Sequence, residues 1–298
     1  MTPTGKTGDK NSYADIAKES RLKVLELIHT AGTSHIGSNL GCTEICLALF
    51  DTIDFDKDRF VAGKSWAAAT IYYNLWRKGR ISEDELNSFC KPGSAYIGLV
   101  EPHRDIPFGI GSMGFAMSAA CGFAWSKKQL NQKGRVFVLE SDGGFHEGST
   151  WEGLMFATEH KLNNLICILD SNNFCAMGQT KDILNQDYLG DVLKRMGWEI
   201  SEVDGHDVLT LRATLSRDTQ KPHLIIAHTT KGKGVSFCEG NNLWHYAQVK
   251  DEDYEKALKE LNEKVKPDTI WVTRKSSYDG TRFEIEAYND GSGASVVR

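Results

Sequence analysis

Residues 136–144 read VFVLESDGG and residues 165–173 read LICILDSNN. Each is a short apolar run closed by small polar residues, the pattern of a strand buried on both faces that ends in a turn. Between them the spacing predicts a helix over 149–161, with Ser149 and Glu152 placed as a capping box. The alternation continues downstream: a strand over 198–203, a helix over 207–215 and a strand over 224–227. Strands separated by helices join through right-handed crossovers into a parallel sheet. The expected fold is therefore α/β, a doubly wound, mostly parallel sheet with helices on both faces.

Upstream, Ser12 and Asp15 form a capping-box pattern opening a helix to about Thr30, with Ile16, Leu22, Leu25 and Ile28 near one face. Residues 31–41 (AGTSHIGSNLG) are small, polar and glycine-rich and read as a loop, after which 44–50 and 84–89 read as helices. Residues 96–114, with four glycines and two prolines, read as irregular. Downstream, KGKG at 231–234 opens a loop to His245, followed by a charged helix over 251–264. At 282–287 charged and apolar residues alternate before the chain runs into NDGSGAS. Three regions follow: a flexible segment 1–12, a binding domain 13–265, and an extension 266–298 that reads as an edge strand, a partner contact or a disordered tail.

The 298 residues carry a net charge of −5 and are 40% hydrophobic, a balance that supports a large core and excludes disorder, collagen and coiled coil. Mild acidity argues against nucleic acid as a partner. The opening MTPTGKTGDKNS has no apolar signal region, and the apolar stretch 114–125 is too short to cross a bilayer. Seven cysteines without a C-x-x-C pair read as reduced, mostly buried thiols. A cytoplasmic protein without a membrane partner is expected.

In open parallel sheets ligands bind beyond the carboxyl ends of the strands. Asp142 and Asn172 close two successive strands, so one crossover brings them to the same edge. A carboxylate and an amide oxygen are hard ligands that suit Mg²⁺ or Ca²⁺ rather than zinc. Gly143 and Gly144 let backbone approach a phosphate, and the helix that follows adds amide donors. Turn formation alone also explains Asp and Asn at strand ends; the strand context and the paired positions favour a metal-diphosphate site.

Five segments, in order from Ala14 to Leu261, resemble the thiamine-diphosphate-binding half of a split transketolase. SDGGFHEGSTWEG with NNLICILDSNN is similar to the family's G-D-G…N-N motif, and SHIGSNLG to its G-H-x-G-x-x-L segment. FDKDRFVAGKSWAA, FGIGSMGFAMSAACGFA and KGKGVSF…WH resemble three further segments. The resemblance implies Asp142, the Asn172 side chain and the Phe174 carbonyl as metal ligands. It implies cofactor contacts from Gly111, Ser112, Met113, Gly143, Gly144, Asn172 and His245, with Trp66 bordering the cofactor. His35 and His245 are implied at the substrate, and Glu147 at an interface between protomers that links paired sites. Trp66 stands where the family has histidine, Gly98-Leu99-Val100 where it has G-H-P, Ser141 at the first glycine of G-D-G, and Phe115-Ala116 at Gln-Gly.

The implied activity is transfer of a two-carbon ketol unit from a ketose to an aldehyde, with thiamine diphosphate and Mg²⁺ (or Ca²⁺) as cofactors and a sugar or sugar-like small molecule as substrate. The implied partner is a separate pyrimidine-binding subunit, in a heterotetramer. Three alternatives stay open: another thiamine-diphosphate acyl transferase of 2-oxo-acid or deoxyxylulose-phosphate type, a catalytically silent cofactor-binding subunit, and a metal-dependent phosphate-binding protein unrelated to thiamine.

Overall fold

The computed structural model describes residues 12–109 and 111–263. The expectations for the N-terminal segment through residue 11 and for the C-terminal extension with its alternating stretch fall outside the described residues. Seven strands occur among them: β1 (Arg59–Ala62), β2 (Val136–Ser141), β3 (Leu165–Ser171), β4 (Phe174–Cys175), β5 (Gly178–Gln179), β6 (Glu199–Asp204) and β7 (His223–His228). Five form one all-parallel sheet in the order β1-β2-β3-β7-β6, and β4 and β5 make a small antiparallel hairpin.

The helices are α1 (Tyr13–Ala31), α2 (Ile36–Gly41), α3 (Thr43–Thr52), α4 (Ala68–Arg77), α5 (Glu83–Asn87), α6 (Phe115–Gln129), α7 (Gly148–Glu159), α8 (Thr180–Ile183), α9 (Leu189–Met196), α10 (Val208–Leu215) and α11 (Asp251–Asn262). Strand alternation divides the core in two. Phe137, Leu139, Ile166, Ile168 and Ile225 face one layer, packed on α1, α3, α4 and α10. Val136, Val138, Leu165, Cys167 and Leu224 face the other, packed on α6, α7 and α9. The β2-α7-β3 crossover therefore covers one face and β6-α10-β7 the opposite one, which makes the sheet doubly wound.

Several local expectations hold. Ser12 and Asp15 form the capping box of α1, the helix expected over 207–215 is α10, and among the described residues of 96–114 there is neither helix nor sheet strand apart from a His103–Ile106 bridge.

Two fail for identifiable reasons. The 31–41 stretch is not all loop, because Ile36–Gly41 is the buried helix α2. Its glycines serve close packing: a Cβ at Gly41 would lie 3.0 Å from the Thr230 carbonyl oxygen and one at Gly37 3.3 Å from that of Trp244. Ser149 is not a cap either, since α7 begins at Gly148 with Glu147 at the N-cap and no side-chain cap bond. The Thr150 hydroxyl instead donates to the Gly144 carbonyl at 2.6 Å, tying the helix start to the preceding turn.

Candidate cofactor and metal site

β2 and β3 pair in register through Ser141 and Asp170, so the residues just beyond them emerge side by side. Asp142 opens a short 3-10 turn, Asp142–His146, and is 3% exposed. Its Oδ2 accepts the backbone N–H of Asn172 at 2.8 Å, and its carbonyl accepts the Gln186 amide at 2.8 Å. The Asn172 Oδ1 accepts the Phe174 N–H at 3.1 Å. Asn173 follows with φ +66°, a left-handed conformation that redirects the chain into the β4–β5 hairpin. The two strand ends are thus tied together through the Asn172 main chain.

Burial and the neighbouring Asp170 charge push the Asp142 carboxyl up to about 7. A carboxyl in that position is poised for a cation, which would offset the cost of its ionised form. A carboxylate, an amide oxygen and the Phe174 carbonyl are the hard donor set that Mg²⁺ or Ca²⁺ takes. Among the described residues no three His, Cys, Asp or Glu side chains cluster as a metal site. The set at Asp142 contributes only one such side chain, so it is compatible with that result.

Met113 lies over Gly143, with its Sδ and Cε 3.5 Å from the place a Gly143 Cβ would occupy, whereas Gly111 and Ser112 are exposed. Gly144 has a different neighbour: a Cβ there would meet Glu140 Oε2 at 2.3 Å, and one at Gly63 would meet the Glu140 Cδ at 2.4 Å. Glu140 is fully buried with neither carboxyl oxygen hydrogen-bonded among the described residues, and burial pushes its carboxyl up to about 8. Two missing side chains leave the room it fills.

A second group of polar residues lies beside the first. Lys64, buried after β1, pairs with Asp170 at the end of β3, which also accepts the Thr229 hydroxyl. Burial alone would lower the Lys64 ammonium, but the Asp170 carboxylate overrides it and holds the ammonium protonated. Lys231 is 2% exposed; it donates to Asn242 Oδ1 at 2.7 Å and to His245 Nδ1 at 2.9 Å, and sits 5.5 Å from the Phe174 ring centroid. Burial and then the Lys64 charge bring it down to about 8.

His35 has φ +72° at the N-cap of α2, and its N–H donates to the His245 carbonyl at 3.1 Å. The rings of His35 and His245 meet edge to face at 4.9 Å, with Tyr246 5.5 Å and Trp66 6.1 Å from His35. Burial, then Lys231, depress His35 to about 4, and burial, Lys231 and His35 depress His245 to about 3. Both imidazoles are neutral at pH 7. Because an ammonium can only donate, His245 Nδ1 is the acceptor and its proton resides on Nε2. The His35 Nε2 is buried and unbonded among the described residues.

Of the site residues expected from the sequence, Asp142, Gly143, Gly144, Asn172, Phe174 and Met113 converge at the strand ends, and His35, His245 and Trp66 form the adjacent group joined to it by Lys231. Glu147 stands at the start of α7 beside Gly114, where a Cβ would be 2.6 Å from the Glu147 Cβ. Lys64, Asp170, Lys231 and Glu140 were not expected. Asp170 and Glu140 had a signal, a charge inside an otherwise apolar strand; the lysines had none beyond their glycine-rich neighbours.

With this geometry in place, comparison with known proteins is specific. The family described as "Transketolase, thiamine diphosphate binding domain" matches residues 12–290. One subunit of the apulose-4-phosphate transketolase of Actinobacillus succinogenes is 34% identical over 270 residues, which cover 85% of this chain and 98% of that one. The same-named polypeptide of Phocaeicola vulgatus is 31% identical, covering 84% and 93%. Human transketolase is 32% identical over 83% of this chain, and the match spans only 41% of the human protein. The crystal structure of Campylobacter jejuni transketolase superposes with a TM-score of 0.76 at 26% identity, over 84% of this chain and 43% of that one. This chain therefore belongs to the transketolase thiamine-diphosphate-binding-domain family.

Proposed function

We propose that the chain is the diphosphate-holding subunit of a two-polypeptide transketolase that moves a two-carbon ketol unit from a ketose to an aldehyde. The juxtaposition of Asp142 and Asn172 beyond β2 and β3 carries this reading. Nearly end-to-end alignment with relatives that are themselves named as single subunits of a transketolase supports the separate partner, here a pyrimidine-binding polypeptide assembled with it as a heterotetramer. Asp142, Asn172 Oδ1 and the Phe174 carbonyl hold Mg²⁺. Gly111, Ser112, Met113, Gly143, Gly144 and His245 contact the cofactor, and Trp66 borders it.

Thiamine diphosphate, when bound, supplies the carbanion chemistry that breaks the ketose carbon–carbon bond. The chain's own groups bind, orient and exchange protons. Lys231 fixes the His245 tautomer. His245, a donor at Nε2, polarises a substrate oxygen, and His35 contacts a substrate hydroxyl. Two neutral imidazoles exchange protons with hydroxyl and carbonyl oxygens without placing a second charge beside Lys231. Glu147 couples the paired sites at the interface between protomers.

The test is a transfer assay on the chain co-expressed with its pyrimidine-binding partner. Mg²⁺- and thiamine-diphosphate-dependent transfer of a C2 unit from a ketose is the expected result. Carbon dioxide release from a 2-oxo acid would favour the acyl-transferase alternative, and cofactor binding without turnover would leave a silent subunit.

A further inference from the structure

Trp66 follows β1 in a one-turn 3-10 helix, Ser65–Ala67, and its carbonyl accepts the Asn39 amide at 3.0 Å, so the backbone beneath the ring is anchored to α2. Asn39 is itself held by the His35 carbonyl at 2.9 Å and by the Thr70 N–H at 3.1 Å. The ring is half-buried. Its indole N–H meets no acceptor among the described residues. A half-buried aromatic ring with an uncommitted donor is thus placed beside His35.

The neighbours alternate in character. The Trp66, His35, His245 and Tyr246 rings form a connected aromatic cluster, spaced 4.6 to 6.1 Å apart along it. Within it, the His35 Nε2 lacks a partner, both imidazoles are uncharged, and the nearby ammonium of Lys231 is already occupied by Asn242 and His245. Such a surface has little to offer an anion. It matches a ligand that alternates hydroxyl groups with carbon–hydrogen faces, because polarised C–H groups pack on the electron-rich face of an indole while a hydroxyl reaches the indole N–H.

Resting on the transketolase reading, we propose that Trp66 is a specificity-determining residue that stacks on the carbon–hydrogen face of an uncharged stretch of the ketose chain, with its N–H donating to a ketose hydroxyl. An imidazole at this position would bond hydroxyls from its edge. The indole selects by face instead, which favours substrates whose charge, if any, lies away from this wall.

Saturation-transfer NMR on the chain in complex with its pyrimidine-binding partner, saturated with Mg²⁺ and thiamine diphosphate and with loading checked by calorimetry for each variant, tests this with D-fructose as probe. The wild-type chain transfers saturation to the fructose C–H protons. Trp66→Leu, which keeps apolar bulk without a ring face, reduces the transfer at least fivefold, while Trp66→Phe retains half or more. Equal transfer in wild type and Trp66→Leu, or none in the wild type, overturns the assignment while leaving the cofactor reading intact. Failure of the wild-type complex to take up thiamine diphosphate overturns both.

Discussion

The backbone N–H of Asn172 donates to Oδ2 of Asp142 across 2.8 Å, joining residues thirty positions apart in sequence. The bond belongs to the main chain of Asn172, so it survives loss of that side chain. Asn172→Ala should therefore keep the strand ends together while removing one metal oxygen. Mg²⁺ dependence of thiamine diphosphate binding, followed by calorimetry, should shift to roughly 10- to 100-fold higher Mg²⁺ with an unchanged circular dichroism spectrum.

The Lys64–Asp170 pair is buried on both sides, so removing one partner leaves an uncompensated charge. Lys64→Met should cost about 3–5 kcal/mol in urea unfolding. Lys64→Met combined with Asp170→Leu should recover part of that loss, since the orphaned carboxylate is then gone.

Glu140 lies at the opposite extreme, with burial and no partner among the described residues. Replacing it with Leu removes the desolvation cost and keeps much of the volume between Gly63 and Gly144. Chemical denaturation of Glu140→Leu should show a gain of about 1–3 kcal/mol.

His223 on β7 is fully buried, and its Nε2 shares a 2.9 Å hydrogen bond with the Ser201 hydroxyl. Burial, then Arg217, lower it to about 4, against an opposing pull from Glu199. The folded state thus resists protonation that the unfolded chain accepts near pH 6.5. Stability from this group is complete above pH 6.5 and is lost as pH falls toward 4, by about 3 kcal/mol at most. Melting temperatures between pH 7 and 4 should fall less steeply in His223→Gln than in the wild type.

The strands and their carboxyl-end turns were legible because VFVL and LICIL are uninterrupted apolar runs, which parallel central strands require. β1 was not, since RFVA is too short to show a period, and α6 was hidden because its small apolar residues lie on every side and show no clear helical face. α2 was missed because its glycines and small polar residues have the composition of a loop, whereas they serve close helix packing against 230–232. At the site, residues carried by the strand-end turns could be named from sequence. Lys231 could not, because its role depends on a neighbour, His245, that only the fold brings to its ammonium.

The central claim is that Asp142 and Asn172 jointly clasp a divalent cation bearing a diphosphate. Calorimetric titration of thiamine diphosphate into the chain in complex with its pyrimidine-binding partner, with Mg²⁺ and with chelator, in wild type and Asp142→Ala, tests it most directly. Binding that requires Mg²⁺ and is weakened on the order of 100-fold or more in Asp142→Ala is the predicted result. Binding of equal strength without Mg²⁺, or in the Asp142→Ala chain, would contradict it.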